Sequence, residues 1–521
     1  MKLNYKRTFF VGFAFFLICA FWQAYDTLIP KILTDKFGMD QGFSGVIMAF
    51  DNILALFLLP LFGSLSDKHK GKRGKRTPFI ILGTVVASVM FIVLSYGDYM
   101  QLDNIRAAAS SDKAALTVVY DNQEGKSLKT PDGEYFVLSD EKVDGKITLS
   151  RDEFTEIKLE SIDERGKTVT NADYNNYVIP ARQAYAWHQT MASPLTLAFF
   201  VGVLLIVLLS MALFRSPAVA LMPDVTIKPL RSKANAVINL MGTAGAIVVL
   251  VLGIIFGTGK ASNALMSYSP FFIIIALIML VSLGIFLIFV NEPKFVKEMK
   301  EESARYNIDE DDDDENSGDR RLSKSEFASL ILILLSVVFW YMGYNAVTSK
   351  YSVYAGKVLN LDYNLTLMIA SGAALISYLP VGIISSKIGR KKTILAGVIM
   401  LCASFTAAAF MRAGSSVMLM NGLFALAGIG WATINVNSYP MIVELARGGN
   451  VGKYTGYYYA ASMSAQALTP VLSGFLMNWK FTSLFPYAAV FVALAFITMM
   501  LVKHGDNKPT AKKGLEIFDE D

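Results

Sequence analysis

PLFGSLSDKHKGKRGKRTPFI, residues 60–80, decides how this chain is read. An apolar run closes at Pro60 and Gly63, a carboxylate follows at Asp67, and a short basic loop containing Gly74, Lys75 and Arg76 leads through Pro78 into the next apolar run. The flanking runs, about 43–64 and 78–97, are each long enough as helices to cross a hydrocarbon core of roughly 30 Å. Six Lys and Arg between them fix the loop in water.

Working outward, ten further blocks of the same kind appear at about 8–30, 194–222, 235–257, 270–290, 327–347, 365–384, 393–411, 415–437, 454–477 and 483–502. The 521 residues are 54% hydrophobic and 17% charged, against roughly 45–50% and about 25% in a soluble domain. Mean hydropathy is +0.44. The fold expected is an all-α membrane protein with twelve transmembrane helices. The first block is too long for a signal-peptide core and has no small-residue cleavage site, so it counts as a helix. Cys19 and Cys402 fall inside apolar blocks and the three histidines outside them, which offers neither a disulfide framework nor a metal centre.

Basic residues set the orientation, because Lys and Arg stay on the cytoplasmic side of short loops. With both termini cytoplasmic, the inner segments carry 30 of them; the short outer loops and helix ends carry seven: Lys31, Lys36, Lys260, Lys350, Lys357, Arg412 and Lys480. The net charge of +5 is then a matter of topology, and nucleic acid is not an expected partner.

Two polar segments interrupt the pattern. Residues 98–192 hold 17 acidic and 11 basic residues, with alternating stretches at 133–138 and 146–149 and Asp-Gly turns at 132–133 and 144–145. Hairpins and a small β-rich extracytoplasmic insertion between helices 3 and 4 are expected. Residues 291–326, with seven consecutive carboxylates from Asp309 to Glu315, read as a disordered cytoplasmic linker. The division is thus 1–97 (helices 1–3), 98–192 (insertion), 193–290 (helices 4–6), 291–326 (linker), 327–503 (helices 7–12) and 504–521 (tail). Gly63 to Asp67 with its basic loop is echoed by Gly382 to Ser386 and the basic run 389–392, at an offset of 319 residues; Asp224 and Lys233 are echoed by Glu444 and Lys453, at an offset of 220. The offsets differ by about the length of the insertion, so two six-helix pseudo-symmetric halves are expected.

These features together resemble the major facilitator superfamily. Pro60, Gly63, Gly74, Lys75 and Pro78 have the spacing of its glycoside–pentoside–hexuronide cation symporters and sucrose permeases, and Phe214-Arg-Ser-Pro217 through Asp224 also resembles the sucrose symporters. The resemblance covers the membrane part and excludes 98–192. It implies a sugar and cation symporter. The carboxylate pair of the melibiose-type cation site falls on Ala55 and Leu59, so that sodium site does not carry over. The Arg of the plant sucrose symporters falls on Val219, with Arg215 one turn earlier on the same helical face as its stand-in.

An ionisable side chain within a span is a functional candidate by default. Asp26, Asp51 and Arg215 qualify. Proton coupling needs a carboxylate whose protonation follows substrate and access; Asp51 is the first candidate and Asp26 the second, the alternatives being a helix cap or vestibule position for Asp26 and a structural ion pair for Asp51. Sugar binding asks for flat apolar rings and for amides or phenols. Trp22, Gln23, Asn52, Arg215, Asn239, Trp340, Tyr344, Asn345, Trp431 and Asn435 are the candidates. Trp340 and Tyr341 read equally as interface anchors, and Asn435 as a helix-to-helix hydrogen bond. Asp67 with Arg76, Asp224 with Lys233, and Glu444 with Lys453 are candidate cytoplasmic gate pairs.

The function expected is secondary transport, a proton-coupled disaccharide or α-glucoside symporter of a bacterial cytoplasmic membrane working by alternating access, with H⁺ preferred to Na⁺. Its expected partners are the sugar, the cation and the bilayer; a monomer without resident cofactor is expected. A drug or metabolite antiporter of the same fold, and a sensor whose insertion binds a ligand, are the alternatives. No nucleophile–base pair or phosphate loop suggests an enzyme.

Overall fold

The computed structural model describes residues 3–162, 168–227, 230–306, 323–443, 445 and 451–505. Among these, the apolar blocks fall on long helices: α1 (Tyr5–Lys31), α2 (Gln41–Lys68), α3 (Thr77–Asn104), α4 (Pro194–Asp224), α5 (Arg231–Phe256), α6 (Ser269–Phe289), α7 (Lys324–Tyr354), α8 (Tyr363–Ile388), α9 (Arg390–Ala408), α10 (Val417–Val443), α11 (Val451–Trp479) and α12 (Leu484–Leu501). Among the described residues, ten helices are long and apolar enough to cross a membrane.

Local signals set the starts. The Asp40 carboxylate accepts the Phe43 N–H at 2.9 Å to begin α2. Ser323 and Glu326 close a reciprocal capping box on α7. Pro78, Pro194 and Pro270 sit in first turns, where a missing N–H costs nothing. The buried apolar side chains then form two separate cores, one drawn from α1–α6 and one from α7–α12.

The chain between α3 and α4 is a unit with its own core around Leu116, Tyr120, Phe136, Phe154 and Val178. It is mixed rather than β-rich. Helices Lys113–Gln123, Arg151–Thr155 and Ile179–Ala192 outweigh strands β1 (Ser127–Lys129), β2 (Tyr135–Leu138), β3 (Ile147–Leu149), β4 (Glu160–Ile162) and β5 (Thr168–Thr170). The Asp132–Gly133 turn closes an antiparallel β1–β2 hairpin, with Gly133 at φ +95. The second expected hairpin is absent from this sheet: residues 139–146 cross back, so β3 adds to the free edge of β2 in parallel.

Helix α3 passes the expected boundary at 97 because its polar end is matched inside the fold. Asp98 and Lys36 are both fully buried and meet at 2.5 Å, and Gln101 Nε2 donates to the Lys36 carbonyl at 2.8 Å and to Thr190 Oγ1 at 2.9 Å. The linker also departs from expectation: Glu292–Arg305 is helical, started by Asn291 and carrying Lys294–Glu298 and Lys297–Glu301 pairs at i,i+4. The acidic run 309–315 and the tail from 506 lie outside the described residues.

The insertion marks one face of the bundle and residues 65–80, 220–231 and 290–306 the other, here called the insert face and the terminal face. At the insert face α2 and α11 approach so closely that a Cβ on Gly45 would strike the Pro470 carbonyl, and one on Gly474 the Gln41 carbonyl. Hydrogen bonds then tie the two bundles: Gln41 N–H to Asn478 Oδ1 at 2.8 Å, Asn478 Nδ2 to Asp40 Oδ1 at 2.8 Å, buried Lys350 Nζ to the Gln41 carbonyl at 2.8 Å, and Thr258 Oγ1 with Tyr363 Oη at 2.8 Å. Nearer the terminal face the same helices carry exposed apolar and aromatic side chains, Phe57, Leu61 and Leu65 on α2 and Tyr457 and Tyr459 on α11.

Candidate functional site

Helix α1 presents Trp22 and Asp26 four residues apart, hence on one face. The Trp22 ring packs edge-on against Phe21 and Tyr25, at 5.1 and 5.4 Å between centroids. The Arg215 guanidinium, brought in by α4, lies 5.7 Å from the centre of the Trp22 ring, a cation–π geometry. Asp51 on α2 accepts the Asn52 N–H at 2.6 Å and its Nδ2 at 2.7 Å. Asp26, Asp51 and Arg215 lie within electrostatic reach of one another. One cation thus serves two carboxylates, an arrangement that responds to a proton or to a ligand between them.

The second bundle answers with rings and amides. Tyr344 on α7 stacks on Trp431 of α10 at 3.8 Å and 5° between planes, and Tyr341 meets the same indole edge-on at 5.2 Å. Tyr341 Oη, Tyr458 Oη and Ser438 Oγ form a hydroxyl chain at 3.4 and 3.1 Å. Tyr378 of α8 lies close to Asn435 and within electrostatic reach of Cys19 on α1, while Tyr344 lies within reach of Asp26. The two clusters therefore face each other across the boundary between the bundles. The Trp22 Nε1 and Asn345 Nδ2 donors are buried there with no partner, and a buried donor without an acceptor is costly unless something supplies one.

Other candidates fall differently. Trp340 is fully buried within the core of α7–α12, and its Nε1, like that of Trp22, has no hydrogen-bond partner among the described residues. Gln23 follows Trp22 by about 100° around α1 and is half-buried; its carbonyl accepts Thr27 Oγ1 at 2.7 Å. Asn239 is exposed and shares the i, i+7 stripe of Ala246 and Gly253, where Gly253 abuts Asn364 of α8. The stripe places it on the side of α5 that meets the second bundle. Tyr378 was not anticipated: a lone phenol near Pro380 has no neighbouring amide in sequence to single it out.

At the terminal face, Arg76 gathers the ends of three helices. It pairs with Asp67, donates Nε to Asp224 Oδ2 at 2.8 Å and Nη1 to Ser66 Oγ at 2.5 Å. Asp224 is thus committed to Arg76; the side chains of its expected partner Lys233 and of Lys453, and all of Glu444, lie outside the described residues. Glu292, unforeseen, is 2% exposed and accepts the N–H groups of Lys75 at 2.6 Å, Arg76 at 3.0 Å and Thr77 at 2.8 Å, with Thr77 Oγ1 at 2.7 Å. A carboxylate there neutralises the positive end of α3.

Two apolar helical cores that bring polar and aromatic side chains to their common boundary fit a multi-pass membrane protein. The comparisons are specific: residues 184–377 and 361–518 match the model of the Major Facilitator Superfamily, and residues 10–98 that of the MFS/sugar transport proteins. The chain belongs to the major facilitator superfamily. Its resemblance to the glycoside–pentoside–hexuronide branch agrees with a 27% identity over 103 residues to a putative glycoside/cation symporter, YagG, of Escherichia coli K12, a match spanning 20% of this chain and 22% of that one. Among solved structures, the inward open conformation of the E. coli xylose transporter XylE aligns with a TM-score of 0.57 at 14% identity, covering 96% of this chain and 97% of that one. A bacterial homologue of the iron transporter ferroportin in an inward-facing state aligns at 0.53 and 14% identity, covering 96% and 99%. At such identity these two likenesses speak to fold alone.

Proposed function

We propose that the chain is a proton-coupled sugar symporter, with disaccharides or α-glucosides as its substrate class. It has twelve spans in two pseudo-symmetric halves, acts as a monomer in a bacterial cytoplasmic membrane with both termini inside, and works by alternating access. The sealed insert face then corresponds to a state closed to the outside. The observation that carries the reading is the stacked Tyr344–Trp431 pair facing Asp26 and Arg215 across the bundle boundary. Aromatic faces hold the apolar side of a sugar ring, Asn345, Asn435 and the Trp22 N–H take hydroxyls, and sugar approaching Arg215 releases Asp51 to exchange its proton. The glycoside/cation symporter among the relatives supports the same substrate class.

The test is sugar uptake into proteoliposomes with an imposed pH gradient, comparing wild type with Asp51→Asn. Gradient-driven uptake in the wild type only, with sugar counterflow kept by the variant, is expected. Equal gradient-driven uptake in both removes Asp51 from coupling, and absence of sugar uptake in the wild type removes the sugar reading.

A further inference from the structure

We propose that the cleft where the insertion meets both bundles is a second carbohydrate site, taking one neutral saccharide at the insert face; its ligand class rests on the sugar-transport reading above. The cavity has a volume of about 430 Å³, within the roughly 300–1,000 Å³ of small-molecule sites. Three bodies wall it: the start of α2 with Asp40 and Gln41, the insertion with Gln183 and Trp187, and the end of α11 with Asn478 and Trp479. It is distinct from the central cleft, since Asp51 lies about 15 Å further along α2 at 1.5 Å per residue.

Gln41 points to a ligand. It is 1% exposed, yet neither its Nε2 nor its Oε1 has a hydrogen-bond partner. The surrounding polar groups are matched already. Asp40 takes the Phe43 N–H at 2.9 Å and Asn478 Nδ2 at 2.8 Å; Gln183 donates to the Met39 carbonyl at 3.0 Å and accepts Lys357 Nζ at 2.8 Å; Lys129 Nζ donates to the Asn478 carbonyl at 3.1 Å. What the cavity wall leaves unmatched is one buried primary amide, beside two indole rings, Trp187 being 38% and Trp479 74% exposed. An amide offers donors and an acceptor side by side, which suits neighbouring hydroxyls. An indole face suits the C–H face of a sugar ring. The wall also carries Lys129, whose ammonium donates to a carbonyl, and exposed Lys480, which add donors for hydroxyls. Because the walls come from both bundles, the site is complete while the insert face is closed and comes apart when it opens.

The test is equilibrium dialysis of the full chain in lipid nanodiscs with radiolabelled sucrose, maltose, melibiose and glucose. The variants are Gln41→Leu, Trp187→Ala and Trp431→Ala, with thermal midpoints as a folding control. Two molecules per chain are expected for at least one sugar. Gln41→Leu and Trp187→Ala should each weaken one of them tenfold or more and spare the other, and Trp431→Ala should do the reverse. One molecule per chain, none, or two that both withstand Gln41→Leu and Trp187→Ala overturns the proposal. The two readings fail separately: a single site lost in Trp431→Ala keeps the transport reading and ends this one, whereas two sites without any uptake keep this one and end transport.

Discussion

Asn478→Ala isolates what holds the insert face shut. The side chain accepts the Gln41 N–H and donates to the Asp40 carboxylate, both at 2.8 Å and both across the bundle boundary. A neutral hydrogen bond contributes about 0.5–1.5 kcal/mol net and one to a charged group about 1.5–3, so their loss weakens the closed face by roughly 2–4 kcal/mol. In a two-state equilibrium this raises the insert-face-open population relative to the closed one by about 30- to 1,000-fold. The bonds from Lys350 to the Gln41 carbonyl and between Thr258 and Tyr363 persist, so the seal loosens without vanishing. Exposed Lys260 and Arg412 lie at the insert face on different bundles. With both native cysteines replaced, spin labels there report the opening by double electron–electron resonance: one short distance population in the background protein, a second longer one in the variant. An unchanged distribution refutes the assignment of these bonds to the seal.

Three further outcomes follow from the same geometry. Glu292→Gln replaces the carboxylate that receives four hydrogen bonds at the start of α3; bonds to a charged group contribute about 1.5–3 kcal/mol each, so a thermal midpoint lower by several degrees is expected by dye-free scanning fluorimetry, and an equal midpoint removes the cap. Lys36→Met strands the buried Asp98 at a cost of about 3–5 kcal/mol, whereas Lys36→Met with Asp98→Leu should regain most of it; detergent-solubilised yield and midpoint compare the two, and a double variant no better than the single one contradicts the pairing. Trp431→Ala removes the surface under Tyr344; such a pair contributes about 0.5–1.5 kcal/mol beyond area burial, so KM for sugar uptake should rise at least several-fold, and an unchanged KM places substrate elsewhere.

Which of these features the sequence reveals follows from the range of the interaction. Apolar blocks and the basic loop after Pro60 are local signals, and the long helices lie on them. Asp67 with Arg76 is readable because nine residues separate them. The Glu292 cap joins positions 217 residues apart and leaves no periodicity to read; composition instead classed 291–306 with the acidic run that follows. The lysines illustrate the same limit. Lys31, Lys36, Lys350 and Lys357 entered only as a small count of outer charges, because the topology rule weighs charges without geometry. In the fold all four are buried: Lys31 Nζ donates to the Thr258 carbonyl at 2.9 Å, and Lys357 pairs with Asp35 at 3.3 Å. Trp340, fully buried in the fold, shows the converse limit, since helical spacing tells which residues share a face but not which face meets the partner bundle.

The insertion is bound to both bundles, but unequally, and the inequality decides what it does during transport. To the first bundle it is joined covalently through α3 and α4 and by buried bonds at Thr190, whose Oγ1 accepts from Gln101 Nε2 and donates to the Phe37 carbonyl, both at 2.9 Å. To the second it reaches with hydrogen bonds: Phe481 N–H to the Pro131 carbonyl at 3.0 Å, Lys129 to the Asn478 carbonyl at 3.1 Å, Lys357 to Gln183, and Asn175 to Asn360. Alternating access, as proposed above, requires one set to break; the covalent joins to α3 and α4 cannot, whereas hydrogen bonds can be exchanged for water. The insertion therefore travels with α1–α6 and parts from α7–α12, so a disulfide locking it to the second bundle, such as Pro131→Cys with Phe481→Cys, should arrest uptake under oxidising conditions and restore it on reduction. Uptake that persists with the crosslink formed would mean that the insertion moves independently of the gate.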